Sequence, residues 1–144
     1  MSTIREVLDR KGGEVITTGG EASVLEAIAT MSKVNIGAIV VQDGDAPRGI
    51  FTERDYLRKI ALQGRSSSDT RVEEVMSSPL ITVESSESSR NAMEVMTERR
   101  CRHLVVVDQG SMVGIVSLGD LVKYRLQEKE AEVEQLSSYI SGNY

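Results

Sequence analysis

Apolar and polar positions along this chain fall into short blocks, and the order of the blocks occurs twice. Ala27, Ile28 and Met31 follow the i, i+1, i+4 spacing of one helix face, and so do Ala92, Met93 and Met96. Two β-type runs follow each predicted helix. Ala38-Ile39-Val40-Val41 and Gly49-Ile50-Phe51-Thr52 flank the turn signal Asp43-Gly44-Asp45-Ala46-Pro47. Leu104-Val105-Val106-Val107 and Met112-Val113-Gly114-Ile115-Val116-Ser117 flank Asp108-Gln109-Gly110. Both read as hairpins with loops somewhat longer than two residues. Short extended pieces are expected at 15–18 and 80–83. Thr3 with Glu6, and Thr70 with Glu73, match a capping box and predict a short helix at each place. A helix over 53–63 should end at Gly64, a natural C′ residue. Its counterpart starts near Leu118 and runs past Gln135, with no Pro or Gly before Gly142. Along it Val122, Leu126, Lys129, Val133, Leu136 and Ile140 make a heptad-like stripe with one polar interruption. That stripe suits either folding back on the module or contact with a second copy.

A shift of 65 residues lays 14–60 on 79–125 without a gap, and eleven of the 47 pairs are identical. A repeat of this length is a supersecondary unit that does not bury its apolar face alone. The expected fold is α/β, with strand-helix-strand-strand-helix twice, pseudo-twofold symmetry and a long C-terminal helix. The expected division is repeat 1 with the N-terminal helix at 1–64, a linker at 65–69, repeat 2 at 70–126 and a helical extension at 127–144.

Composition narrows the function. The 144 residues carry a net charge of −5, and only 3% are aromatic. An acidic surface poor in stacking rings argues against a nucleic-acid partner. No apolar run is long enough for a membrane span, so no membrane partner is expected. The single cysteine, Cys101, forms no intrachain disulfide and suits a reducing cytoplasm. Cys101 and His103 lie two apart, but two ligands do not make a metal site. No triad or acid pair supports catalysis, so neither an enzyme nor a catalytic cofactor is expected.

Candidate chemistry lies where the copies close. Thr52-Glu53-Arg54-Asp55 and Ser117-Leu118-Gly119-Asp120 both place a hydroxyl three residues before an acid, at a strand-to-helix junction. The acid could accept from the vicinal hydroxyls of a ribose, a charge-assisted contact. The hydroxyl and the helix N-terminus could hold a phosphate. The same spacing is also a capping box or a close variant of it. Arg54, a cation in the first helical turn, is favourable there if an anion lies nearby, and Gly119 replaces it in the second copy.

The doubled Gly-hydrophobic-hydrophobic-Thr/Ser-x-x-Asp ending and the element order resemble the CBS domain, in the tandem pair called a Bateman module. Thr52-Glu53-Arg54-Asp55-Tyr56-Leu57-Arg58-Lys59-Ile60 is similar to short stand-alone members. The resemblance implies a regulatory protein whose two clefts bind an adenine nucleotide as ligand: AMP foremost, or ADP, ATP, NAD or S-adenosylmethionine. It further implies a homodimer and a regulated protein partner. One site would comprise Thr17, Thr18, Gly37, Ala38, Thr52, Arg54 and Asp55. The other would comprise Ile81, Thr82, Arg102, His103, Ser117 and Asp120. Arg102 and His103 stand where the first copy has Gly37 and Ala38, so the two sites should differ. The alternative reading is a ligand-independent interaction module acting through the C-terminal helix.

Overall fold

A computed structural model describes residues 2–140. The chain begins with α1 (Ile4–Lys11), where the Thr3 hydroxyl accepts from the Glu6 N–H at 3.3 Å. The helix ends at Gly12, whose φ of 67° only glycine adopts without strain. β1 (Thr17–Thr18), α2 (Val24–Val34), β2 (Ala38–Asp43) and β3 (Ala46–Thr52) follow. Next, α3 starts with one α-helical turn, Glu53–Asp55, and continues as a π-helix over Tyr56–Ala61. The second copy supplies β4 (Thr82–Glu84), α4 (Ser89–Arg99), β5 (His103–Asp108), β6 (Ser111–Ser117) and α5 (Leu118–Ile140). The apolar spacing read from the sequence fixes the helix faces: Ala27 and Met31 on α2, and Ala92 and Met96 on α4, are buried.

Three local expectations are corrected. The hairpin loops are two residues long, Gly44-Asp45 and Gln109-Gly110. Positive φ at Gly44, Gln109 and Gly110 gives the backbone twist that such tight turns need. Register shifts at Val41/Gln42 and Val106/Val107 let the strands run on to these turns. Pro47 is tolerated because β3 lies at the edge of its sheet. The helix expected from Thr70 is a single 3₁₀ turn, Val72–Glu74. Its reaching acid is Glu74, which accepts from the Arg71 N–H at 2.7 Å. By Ser77 the backbone is bridged to Ile50, with N···O distances of 2.7 and 3.0 Å, so too few residues remain to nucleate an α-helix.

The sheets have order β1-β2-β3 and β4-β5-β6. The compact units do not follow the order of the repeats. One unit is Glu14–Thr82; the other joins the chain up to Gly13 with the chain from Val83 onward. The division read from the sequence put the N-terminal helix with repeat 1, whereas α1 packs on α4, α5 and β6. Likewise the 3₁₀ turn preceding repeat 2 packs in the Glu14–Thr82 unit, where Val72 and Val75 join Val24, Ile39, Phe51 and Ile60 in the core. Each unit therefore takes its covering segment from the stretch leading into the other repeat. A glycine receives it in both cases. A Cβ on Gly114 would lie 2.7 Å from a Leu8 methyl, and one on Gly49 would lie 2.8 Å from the Ser77 carbonyl oxygen.

The start of α5 is held by buried Leu121 and Tyr124. Farther on, Leu126, Val133, Leu136 and Ile140 are all exposed. The tail of the stripe is therefore not folded back within its own unit.

Candidate functional site

In the Glu14–Thr82 unit, antiparallel pairing sets Ala38 opposite Thr52. The Gly37 carbonyl accepts from the Glu53 N–H at 3.1 Å, which anchors the start of α3 beside the end of β2. Thr52 and Asp55 form a reciprocal capping box. Thr52 Oγ1 accepts from the Asp55 N–H at 3.1 Å, and Asp55 Oδ2 accepts from the Thr52 N–H at 3.0 Å. The Thr52 hydroxyl is also placed to donate to Oδ2 at 3.1 Å. The other oxygen, Oδ1, accepts from the Ser77 hydroxyl at 2.9 Å and lies 3.1 Å from Lys59 Nζ. The Asp55 side chain is only 8% exposed. Thr17 and Thr18 pair in parallel with Val40 and Val41, farther along β2. Arg54 is exposed on the first turn of α3.

The other unit repeats the frame. His103 faces Ser117 across β5 and β6, and the Arg102 carbonyl accepts from the Leu118 N–H at 2.8 Å. Ser117 Oγ accepts from the Asp120 N–H at 3.0 Å, and Asp120 Oδ2 accepts from the Ser117 N–H at 2.9 Å. The cation differs. Lys11, the last residue of α1, puts Nζ 2.8 Å from Asp120 Oδ2 and donates to the Ile115 carbonyl at 2.8 Å. Burial alone would raise the Asp120 pKa, but the bonds from Lys11 and the Ser117 N–H outweigh it and hold the carboxyl below its ordinary value. The Asp120 side chain is 24% exposed.

Capping, one of the two readings of the hydroxyl–acid spacing, is thus present in both copies. The frame gathers Gly37, Ala38, Thr52, Arg54 and Asp55 at one junction, and Arg102, His103, Ser117 and Asp120 at the other. Thr82 opens β4, which pairs with β5 in the sheet that carries His103 and Ser117, and Ile81 precedes it directly. Lys59, Ser77 and Lys11 were missed. Lys59 was legible, because i, i+4 acid–base pairs share a helix face. Ser77 and Lys11 had no local signal, being brought in by the exchanged segments. Burial pushes the Cys101 thiol up, so it is a poor thiolate. A groove of about 820 Å³ lies between α4 and α5, lined by Met93, Glu94, Arg125 and Lys129 among others, and holds none of the candidate residues.

A strand, helix and hairpin closing on a capped hydroxyl–acid turn, built twice, defines an α/β repeat protein. The family model for the CBS domain matches residues 4–62 and 72–127, and the chain belongs to that family. It is 40% identical to the mitochondrial CBS domain-containing protein CBSX3 of Arabidopsis thaliana, over 99% of this chain and 74% of that one. It is 33% identical to the CBS domain-containing protein YhcV of Bacillus subtilis, over 91% of each. Its fold is similar to the crystal structure of the CBS-domain protein ATU1752 from Agrobacterium tumefaciens. There the TM-score is 0.82 and the identity 38%, over 86% of this chain and 99% of that one. A hexameric CBS-CP12 protein from bloom-forming cyanobacteria is similar at TM-score 0.76 and 25% identity, over 84% of this chain and 66% of that one.

Proposed function

We propose that this chain is a regulatory module that binds an adenine nucleotide at its hydroxyl–acid junctions and passes occupancy on to its own assembly or to a protein partner. The observation that carries the reading is the doubled junction. In each copy an acid, a hydroxyl and a helix N-terminus converge beside the residue opposite on the neighbouring strand, His103 or Ala38. A ribose is matched by the acid, and a phosphate by the hydroxyl and the helix start. AMP is the ligand first expected, with ADP, ATP, NAD and S-adenosylmethionine as the other adenosine compounds of the class. No enzymatic step is assigned. Among the described residues no helix is long and apolar enough to cross a membrane. A reducing compartment such as the cytoplasm fits the lone thiol. Thermal unfolding with each compound tests the reading. A ligand of the native state raises the melting temperature with concentration. No shift from any of them at millimolar levels ends it.

A second reading is favoured by α5. Its exposed Leu126, Val133, Leu136 and Ile140 suit a helix that pairs with a second copy or docks on a partner. The two readings coexist if the nucleotide biases a homodimer. Truncation after Arg125 should then lower the oligomer mass in native mass spectrometry, and an unchanged mass would remove α5 from the interface.

A further inference from the structure

The two junctions share a backbone frame but differ in what holds the acid. At Asp55 the bonds are local to a closed set: the Thr52 N–H, the Ser77 hydroxyl and Lys59 from the same helix. Both carboxylate oxygens are engaged and the side chain is nearly buried. Position 124, which matches Lys59 in the repeat, is a tyrosine. Its hydroxyl donates to Glu6 at 3.1 Å, and Arg10 lies 5.0 Å from its ring centroid. This unit's acid therefore takes its cation from outside the repeat, from Lys11 at the end of α1. The Lys11 side chain is 35% exposed, and its bonds to Asp120 fall on Oδ2.

We propose that Lys11 makes the Asp120 junction select phosphorylated nucleosides over unphosphorylated ones. The inference rests on the nucleotide-binding reading above and names the residue that sets its ligand preference. A ribose held by the Asp120 carboxylate carries its 5′-phosphate within reach of a flexible ammonium already at that carboxylate. The ammonium then serves two anions, and a nucleoside offers it only one. Lysine suits this role because its head is a point charge on a four-carbon stem that swings between acceptors. Two glycines at positive φ, Gly12 and Gly13, follow Lys11 directly, so the helix end carrying it is set by α1 and not by the repeat it precedes.

The test compares AMP and adenosine by isothermal titration on the full chain and on Lys11→Met, Asp120→Asn and Lys59→Met. Lys11→Met should cut the preference for AMP over adenosine by about tenfold, the worth of one charge-assisted hydrogen bond, while adenosine still binds. Asp120→Asn should weaken binding of both. Lys59→Met should leave both affinities within about twofold, a change of less than half a kcal/mol. An unchanged AMP-to-adenosine ratio in Lys11→Met overturns the proposal, although the nucleotide reading survives that result. If the unsubstituted chain binds neither compound, both fall together. A readout without ligand stands beside these: the Asp120 carboxyl, followed by NMR, should titrate at higher pH in Lys11→Met. An unmoved titration overturns the assignment of Lys11 to Asp120.

Discussion

Asp55 and Asp120 occupy the same place in two copies of one design, and each is paired with one lysine. The lysines come from different parts of the chain. Lys59 lies one turn along the same helix as Asp55, whereas Lys11 reaches Asp120 from a helix more than a hundred residues earlier in sequence. The copies diverged at position 59/124, where lysine became tyrosine or the reverse. In the second unit a charge from α1 stands in its place. Ser77 and Lys11 also play related parts. Ser77 ends the segment covering one unit and meets Ile50 through its backbone; Lys11 ends the segment covering the other and meets Ile115 through its side chain. A duplicated frame thus supports one acid that is closed off and one that remains partly open to solvent.

The difference in closure should show first in stability. Removing Asp55 strands Lys59 and Ser77, breaks the reciprocal cap and leaves a cavity in a nearly buried place. Because Lys59 is partly exposed, the main loss is the part-buried Ser77 hydroxyl left without its acceptor together with the cap, about 2 kcal/mol. Removing Asp120 costs about 1 kcal/mol, the ordinary worth of a cap at a solvated site. Urea unfolding of Asp55→Ala and Asp120→Ala gives both values. Equal losses would erase the distinction between a structural and an accessible acid.

The covering segments give a second contrast. A methyl added at Gly49 meets the Ser77 carbonyl at 2.8 Å, and that backbone is bridged to Ile50 on both sides. The same methyl at Gly114 meets only the tip of Leu8, which can change rotamer. Overpacking against a fixed group costs about 2 kcal/mol, and less against a flexible one. Gly49→Ala should therefore lower the urea midpoint more than Gly114→Ala. Leu8→Val should restore part of the Gly114→Ala loss. The reverse ranking would mean that α1 is the more rigid of the two covers.

Much of the fold was legible because its signals are periodic and local. The helix faces of Ala27/Met31 and Ala92/Met96, both hairpins and the length of α5 follow from spacing alone. The α/β repeat and the CBS family follow from the doubled ending. Hydroxyl–acid capping was legible too, since three-residue spacing at a strand end has few geometric outcomes. Three features were not. The 3₁₀ turn at Val72–Glu74 is set by a long-range bridge at Ser77, which capping chemistry does not register. The hairpin loops looked longer because bulges two residues before the turn shift the register. The exchange of covering segments is a long-range packing outcome, Leu8 against Gly114 and Met76-Ser77 against Gly49, so Lys11 could not be placed beside Asp120 from sequence.

The smallest expected effect bears most directly on the open acid. The folded Asp120 carboxyl titrates below its unfolded value, because Lys11 and the Ser117 N–H favour the charged form more than burial opposes it. Between the two values the unfolded chain binds more protons than the folded one, so stability rises with pH across that window. The contribution is complete above the unfolded carboxylate value of about 3.9 and is lost as pH falls through the lowered folded value. Lys11 is partly exposed, so the pair contributes about 0.5 kcal/mol once solvent screening is counted. In Lys11→Met the methionine keeps most of the aliphatic stem, so the stability lost relative to the unsubstituted chain should be present at pH 6 and shrink toward zero by pH 3. A deficit of the same size at both pH values would mean that Lys11 acts through its stem, packed against β6, and that its charge is not what distinguishes Asp120 from Asp55.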